Sequence, residues 1–70
     1  MDHKPVKSSH ISAIGHDPET NTLSVQFQNG STYHYHGVTK EKHEAMLRSD
    51  SVGKFLEANI KGTHRHSKVG

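Results

Sequence analysis

The stretch Leu23-Ser24-Val25-Gln26-Phe27-Gln28-Asn29-Gly30-Ser31-Thr32-Tyr33-His34-Tyr35-His36-Gly37 decides the fold. Leu23, Val25 and Phe27 alternate with Ser24, Gln26 and Gln28, the period of two of a strand with one buried face. Asn29-Gly30 then turns the chain, since both residue types accept positive φ at low cost. Thr32 to His36 returns as a second strand, with Tyr33 and Tyr35 on one face and His34 and His36 on the other. Two registers compete. A two-residue type I′ loop sets Gln26 opposite Tyr33 and Ser24 opposite Tyr35, which sends both rings to the polar face. A three-residue loop, Gln28-Asn29-Gly30, with a bulge at the glycine sets Val25 opposite Tyr33 and Leu23 opposite Tyr35, which adds both rings to the apolar face. One residue of slip moves the whole row across the sheet. The bulged form is expected, because a chain of 70 residues needs every large apolar group in its core.

On the N-terminal side, Ile11 and Ile14 predict a first strand over Ser8 to Ile14, with imperfect alternation and a stop at Gly15. His16-Asp17-Pro18-Glu19-Thr20-Asn21 is turn chemistry, with φ preset by Pro18 and local backbone bonds offered by Asp17 and Asn21. On the C-terminal side, Thr39 is an N-cap for a helix over Lys40 to Arg48, whose apolar residues are Met46 and Leu47, with His43 on the same face. Ser49-Asp50-Ser51 breaks it. Val52, Phe55, Leu56 and Ile60 then form the stripe of a second helix, and Gly62 marks its end. The expected fold is therefore α+β: a three-stranded antiparallel meander followed by two short helices packed on one face (β-β-β-α-α). Residues 1–7 read as a flexible arm, 8–62 as a single domain and 63–70 as a basic tail.

Composition narrows the function classes. There is no Cys, so a disulfide, a thiolate metal site and a cysteine nucleophile are all excluded. No apolar run approaches membrane-spanning length and the N-terminus lacks a signal-peptide core, which leaves a cytoplasmic protein as the expectation. The net charge of +2 is unevenly spread: from Ala58 onward there is no acid, while Lys61, Arg65 and Lys68 are basic and His64 and His66 lie among them. Such an end suits phosphate, and equally suits a solvated terminus.

Taken together, Val6-Lys7-Ser8-Ser9-His10-Ile11, Ile14-Gly15-His16-Asp17, Leu23 to Phe27, Asn29-Gly30-Ser31, Tyr33-His34-Tyr35, Ser51-Val52-Gly53-Lys54-Phe55 and Asn59-Ile60-Lys61 resemble the KTSC domain family over about Val6 to Val69. That family is named for C-terminal domains of lysyl-tRNA synthetases and also occurs as free-standing bacterial and phage proteins. The resemblance implies the α+β fold above and no established activity; RNA binding has been suggested for the family through its attachment to a tRNA enzyme. Relatives often carry an aromatic where this chain has His16, His36, His43, His64 and His66. Imidazole still stacks, and it gains charge below about pH 6.5.

An RNA reading assigns Tyr33 and Tyr35 to base stacking and Lys54, Lys61 and Arg65 to phosphates. The competing reading puts both tyrosines in the core with their hydroxyls at the rim. Eight histidines invite a metal, with His34, His36, His64 and His66 as the nearest to a set. No HExxH pattern, cysteine or nearby acid completes one, so neither metal nor cofactor is expected. Ser8, Ser9, His10 and Asp17 are triad ingredients by type only, and no Gly-x-Ser-x-Gly elbow occurs. The expectation is a small non-catalytic binding module contacting RNA; the alternative is a protein-binding or self-associating module that uses the sheet's free edges and uncovered face.

Overall fold

The computed structural model describes residues 3–70, and the first two residues of the expected arm lie outside it. Five antiparallel strands form one sheet in the order β1-β2-β3-β4-β5: β1 (Lys4–Pro5), β2 (Ile11–Asp17), β3 (Thr22–Phe27), β4 (Thr32–Tyr35) and β5 (His66–Lys68). Between β4 and β5 lie α1 (Lys40–Arg48) and α2 (Val52–Phe55), which runs directly into a π-helical stretch, Leu56–Ile60. The three-stranded meander expected from sequence is the centre of this sheet. It gains a strand at each edge, from segments too short and polar to announce themselves: Lys4–Pro5 pairs with Ala13–Ile14, and His66–Lys68 pairs with Tyr33–Tyr35. Pro5 lacks an N–H and blunts the outer edge at β1.

The central hairpin adopts the bulged register. Leu23 faces Tyr35, Ser24 faces His34 and Val25 faces Tyr33. Gly30 N–H donates to Phe27 C=O (3.0 Å), Phe27 N–H donates to Ser31 C=O (2.8 Å), and Gly30 takes φ +92°. A three-residue loop closed by a left-handed glycine gives this pattern, and it delivers both tyrosines to the face that carries Leu23, Val25 and Phe27.

A second irregularity explains the broken alternation in β2. Ile11 pairs with Phe27 but Ala13 pairs with Gln26, so Ser12 is the extra residue of a bulge. Ile11 and Ile14, three apart, thereby reach the same face. The strand also runs through Gly15, which pairs with Ser24 and does not end the ladder. Thr39 Oγ1 accepts from Lys42 N–H (3.3 Å) to start α1, as its side chain predicts. Within α1, Met46 is buried while Leu47 is 40% exposed, so the apolar face turns on Met46 and His43. Ser51 Oγ caps α2, and Lys61 N–H reaches back to Leu56 C=O (2.7 Å) to close the π turn. Widening the helix there keeps Val52, Leu56 and Ile60, each four apart, on one line.

The core is single and one-sided. Ile11, Ile14, Leu23, Val25 and Tyr35 from the sheet meet Val38, Met46, Val52, Leu56 and Ile60 from the helical half. Each such side chain contributes about 1.5–3 kcal/mol by leaving water. The opposite sheet face is polar: Ser24 is fully buried there because His3 crosses over it, with Nε2 2.7 Å from the serine Oγ. No helix among the described residues is long and apolar enough to cross a membrane.

Candidate functional site

A groove of about 820 Å³ opens where three separated segments converge. Lys7 to Ile11 forms one wall, the Phe27–Asn29 end of the hairpin forms the floor, and α2 with Glu57 and Lys61 forms the other wall. The walls are fixed by local bonds. Ser8 Oγ accepts from the N–H groups of His10 (3.3 Å) and Ile11 (3.2 Å), which bends the approach to β2. Gln28 N–H donates to His10 C=O (2.8 Å), tying that bend to the hairpin. Gly53 of α2 faces the bend, where a Cβ would meet Ser8 Oγ at 3.7 Å, an ordinary contact.

The groove is lined by Lys7, His10, Lys54 and Lys61 with the acids Asp50 and Glu57 among them. Two amides complete it. Gln28 Nε2 donates to Ile11 C=O (3.4 Å) and Asn29 Oδ1 accepts from Ser31 N–H (3.0 Å). These bonds use one Gln28 Nε2 hydrogen and one Asn29 Oδ1 lone pair, and they leave the Gln28 Oε1 acceptor and the Asn29 Nδ2 donors for another molecule.

The structure divides the residues singled out from sequence. Lys54 and Lys61 line the groove. Arg65 is exposed just before β5, outside the groove, where its carbonyl accepts from His36 N–H (2.7 Å). Tyr35 is 2% exposed and has no ring face free. Burial pushes its phenol above the ordinary value, and the neighbouring Tyr33 phenol adds to the rise. Tyr33 is half-buried, with its ring edge-on to Phe27 (5.6 Å) and 6.5 Å from Tyr35. The rings form a stripe continued by His66, 5.6 Å from Tyr35.

Lys7, His10, Gln28 and Asn29 were not assigned to a binding site: His10 entered only as a triad ingredient, and Gln28 and Asn29 only as parts of the hairpin. For Lys7 and His10 the available signal was their place in a short polar stretch ahead of the first strand. The triad ingredients separate: Ser8 is engaged in its own turn, and Asp17 Oδ1 accepts from Glu19 N–H (3.0 Å) at the far end of β2. Among the described residues no group of three or more His, Asp or Glu side chains is placed to hold a metal ion. His64 and His66 point to different surroundings, His64 to Lys42 and His66 to the tyrosines.

The KTSC domain family matches residues 7–64. The chain belongs to the KTSC domain family. The crystal structure of a KTSC domain protein from Yersinia pestis superposes with a TM-score of 0.92 at 38% identity, covering 99% of this chain and 97% of that one. A protein of Tsukamurella paurometabola is 37% identical over 62 residues, 89% of this chain and 92% of its own length. A lysine–tRNA ligase of Nostoc is 30% identical over 63 residues, 90% of this chain but 11% of the ligase. The KTSC-like stretches quoted from sequence, Val6–Ile11, Asn29–Ser31, Ser51–Phe55 and Asn59–Lys61, each place at least one residue on the groove.

Proposed function

We propose that this KTSC domain is a non-catalytic module that binds RNA as a short single strand in the Lys7–Lys54–Lys61 groove. The observation that carries this reading is the convergence of three lysines and His10, from two separate segments, on one concave surface where they outnumber the acids Asp50 and Glu57. Ammonium groups release counterions when they meet phosphates, which supplies affinity without sequence preference. The free Gln28 acceptor and Asn29 donor match the polar edges of unpaired bases. A groove of about 820 Å³ set into the surface has room for part of a flexible strand. The lysine–tRNA ligase relative, which carries a similar segment on an enzyme whose name states a tRNA substrate, supports the same ligand class. The non-catalytic part of the reading is supported by the engagement of Ser8 in a turn.

Fluorescence anisotropy with a labelled single-stranded RNA of about eight nucleotides tests it. Binding is expected at low salt, with Lys54→Ala and Lys61→Ala each weakening it several-fold and each lowering the salt slope by about 1. Lys68→Ala, outside the groove, is the control. No binding at about 50 mM salt, or equal losses in all three variants, would overturn the assignment.

A further inference from the structure

We propose that His64 is a pH-sensitive latch that ties α1 to the exit of β4, at the foot of the C-terminal strand, only while its imidazole is neutral. Its two ring nitrogens have partners of opposite kind. Nδ1 lies 3.0 Å from the carbonyl oxygen of His36, a group that only accepts. Nε2 lies 2.9 Å from Lys42 Nζ, a group that only donates. One protonation state satisfies both: the proton on Nδ1 and the lone pair on Nε2. An imidazolium has no lone pair to offer, and it would place a second positive N–H group against the Lys42 ammonium.

The latch sits where three elements meet. Lys42 belongs to α1 and also donates to Asn59 C=O (3.2 Å) near the end of the π-helical stretch. His36 lies just beyond the end of β4, and its own N–H donates to Arg65 C=O, the residue after His64. Gly37 is close enough that a Cβ there would sit 3.6 Å from Nδ1. The charged and titratable groups around the ring are Lys42 from α1, His36 from the β4 exit, and Lys61 and Arg65 from its own segment. Glu41 and Glu57, the acids on the packed helices nearest in sequence to Lys42 and Asn59, are exposed, and neither hydrogen-bonds to Lys42 or His64 among the described residues. No carboxylate hydrogen bond therefore offsets the added charge.

β5 is held to β4 by its ladder, by backbone bonds at Thr32 and His36 beyond its ends, and by the His66 ring against Tyr33 and Tyr35, so the latch sets how firmly its N-terminal corner is seated. His66, Ser67 and Lys68 are all exposed, and the strand contributes nothing to the buried cluster. Protonation of His64 breaks the Lys42 contact and loosens the corner at His36 and Arg65 where β5 joins the edge of β4.

Amide exchange at about pH 7.5 and about pH 5.5 tests the latch, read at His36 N–H and Val69 N–H, which bond to Arg65 and Thr32 across the β4–β5 junction. After correction for intrinsic rates, protection of these two amides is expected to fall about tenfold or more on acidification, while the β2–β3 ladder holds. His64→Gln keeps one donor and one acceptor without a titrating ring, and should abolish the difference. Equal protection at both pH values in the wild type, or the same acid loss in His64→Gln, would overturn the proposal. If that variant fails to fold, ring ¹⁵N shifts of the wild type decide: a neutral ring protonated on Nδ1 at pH 7.5 that loses the Lys42 contact on protonation is the expected result, and an Nε2–H tautomer is the refuting one.

Discussion

His16 and His43 stack face to face, with ring centroids 4.9 Å apart and planes 12° from parallel. His16 comes from β2 and fixes its ring by a 2.7 Å bond from Nε2 to the carbonyl of Val38. His43 comes from α1, and its Nδ1 is buried with no hydrogen-bond partner among the described residues. The pair does the packing of two aromatic rings between sheet and helix, with one polar atom left over.

Acid is therefore expected to weaken the fold through His43. Burial holds its imidazole below the ordinary value; His16 and, less strongly, Lys4 act the same way, and Glu44 opposes them. The folded state then binds fewer protons than the unfolded chain, so this contribution is complete above about pH 6.5 and is lost as pH falls through the lower folded value. Thermal melts should show a drop between pH 7.5 and 5.5 that is smaller in His43→Phe. That variant keeps the stack, removes the orphan nitrogen and should gain about 1–2 kcal/mol at neutral pH.

At the alkaline end the sign reverses for Tyr35. Its raised phenol value means the folded state holds the proton longer than the unfolded chain does. The associated stability is complete below about pH 10 and fades as pH rises through the folded value. An absorbance titration should show one phenol ionising late, and Tyr35→Phe should remove that step and leave Tyr33 in place.

Met46 is the α1 side chain that fills the space above the sheet, with no exposure at all. Met46→Ala should cost about 2–5 kcal/mol in urea unfolding, and Leu47→Ala, one residue along but at the rim, within about 0.5 kcal/mol. Similar losses for both would mean that α1 does not seat as described.

Gly30 meets nothing within 4 Å of a built Cβ, so the space is open and only the backbone objects. At φ +92° a β-branched residue is strained, and Gly30→Val should cost about 1–2 kcal/mol, with Gly30→Asn costing less. An equal cost for the two would point to a contact and not a conformation.

The hairpin was legible because its signals agree: period-two alternation, a turn pair that accepts positive φ, and two rings that a small core needs. The helix starts at Thr39 and Ser51 were legible for the same kind of reason, since a cap works through bonds a few residues away. The edge strands were not. Lys4–Pro5 and His66–Lys68 have no apolar face, and their place in the sheet comes from pairing with strands that already exist. The groove was half legible, through Lys54 and Lys61; Lys7, His10, Gln28 and Asn29 join them only after three segments distant in sequence have packed.

By itself the chain determined its class, its central register and the apolar stripes of the meander and the second helix, because those follow from spacing along a few consecutive residues. Packing alone decided that Tyr35 closes fully under the helices while Tyr33 stays half-buried, that Ser12 bulges so that two isoleucines face one way, and that His64 lies between a lysine and a carbonyl. Each of these depends on which groups from remote segments arrive at the same point, and no local preference of the backbone encodes that meeting.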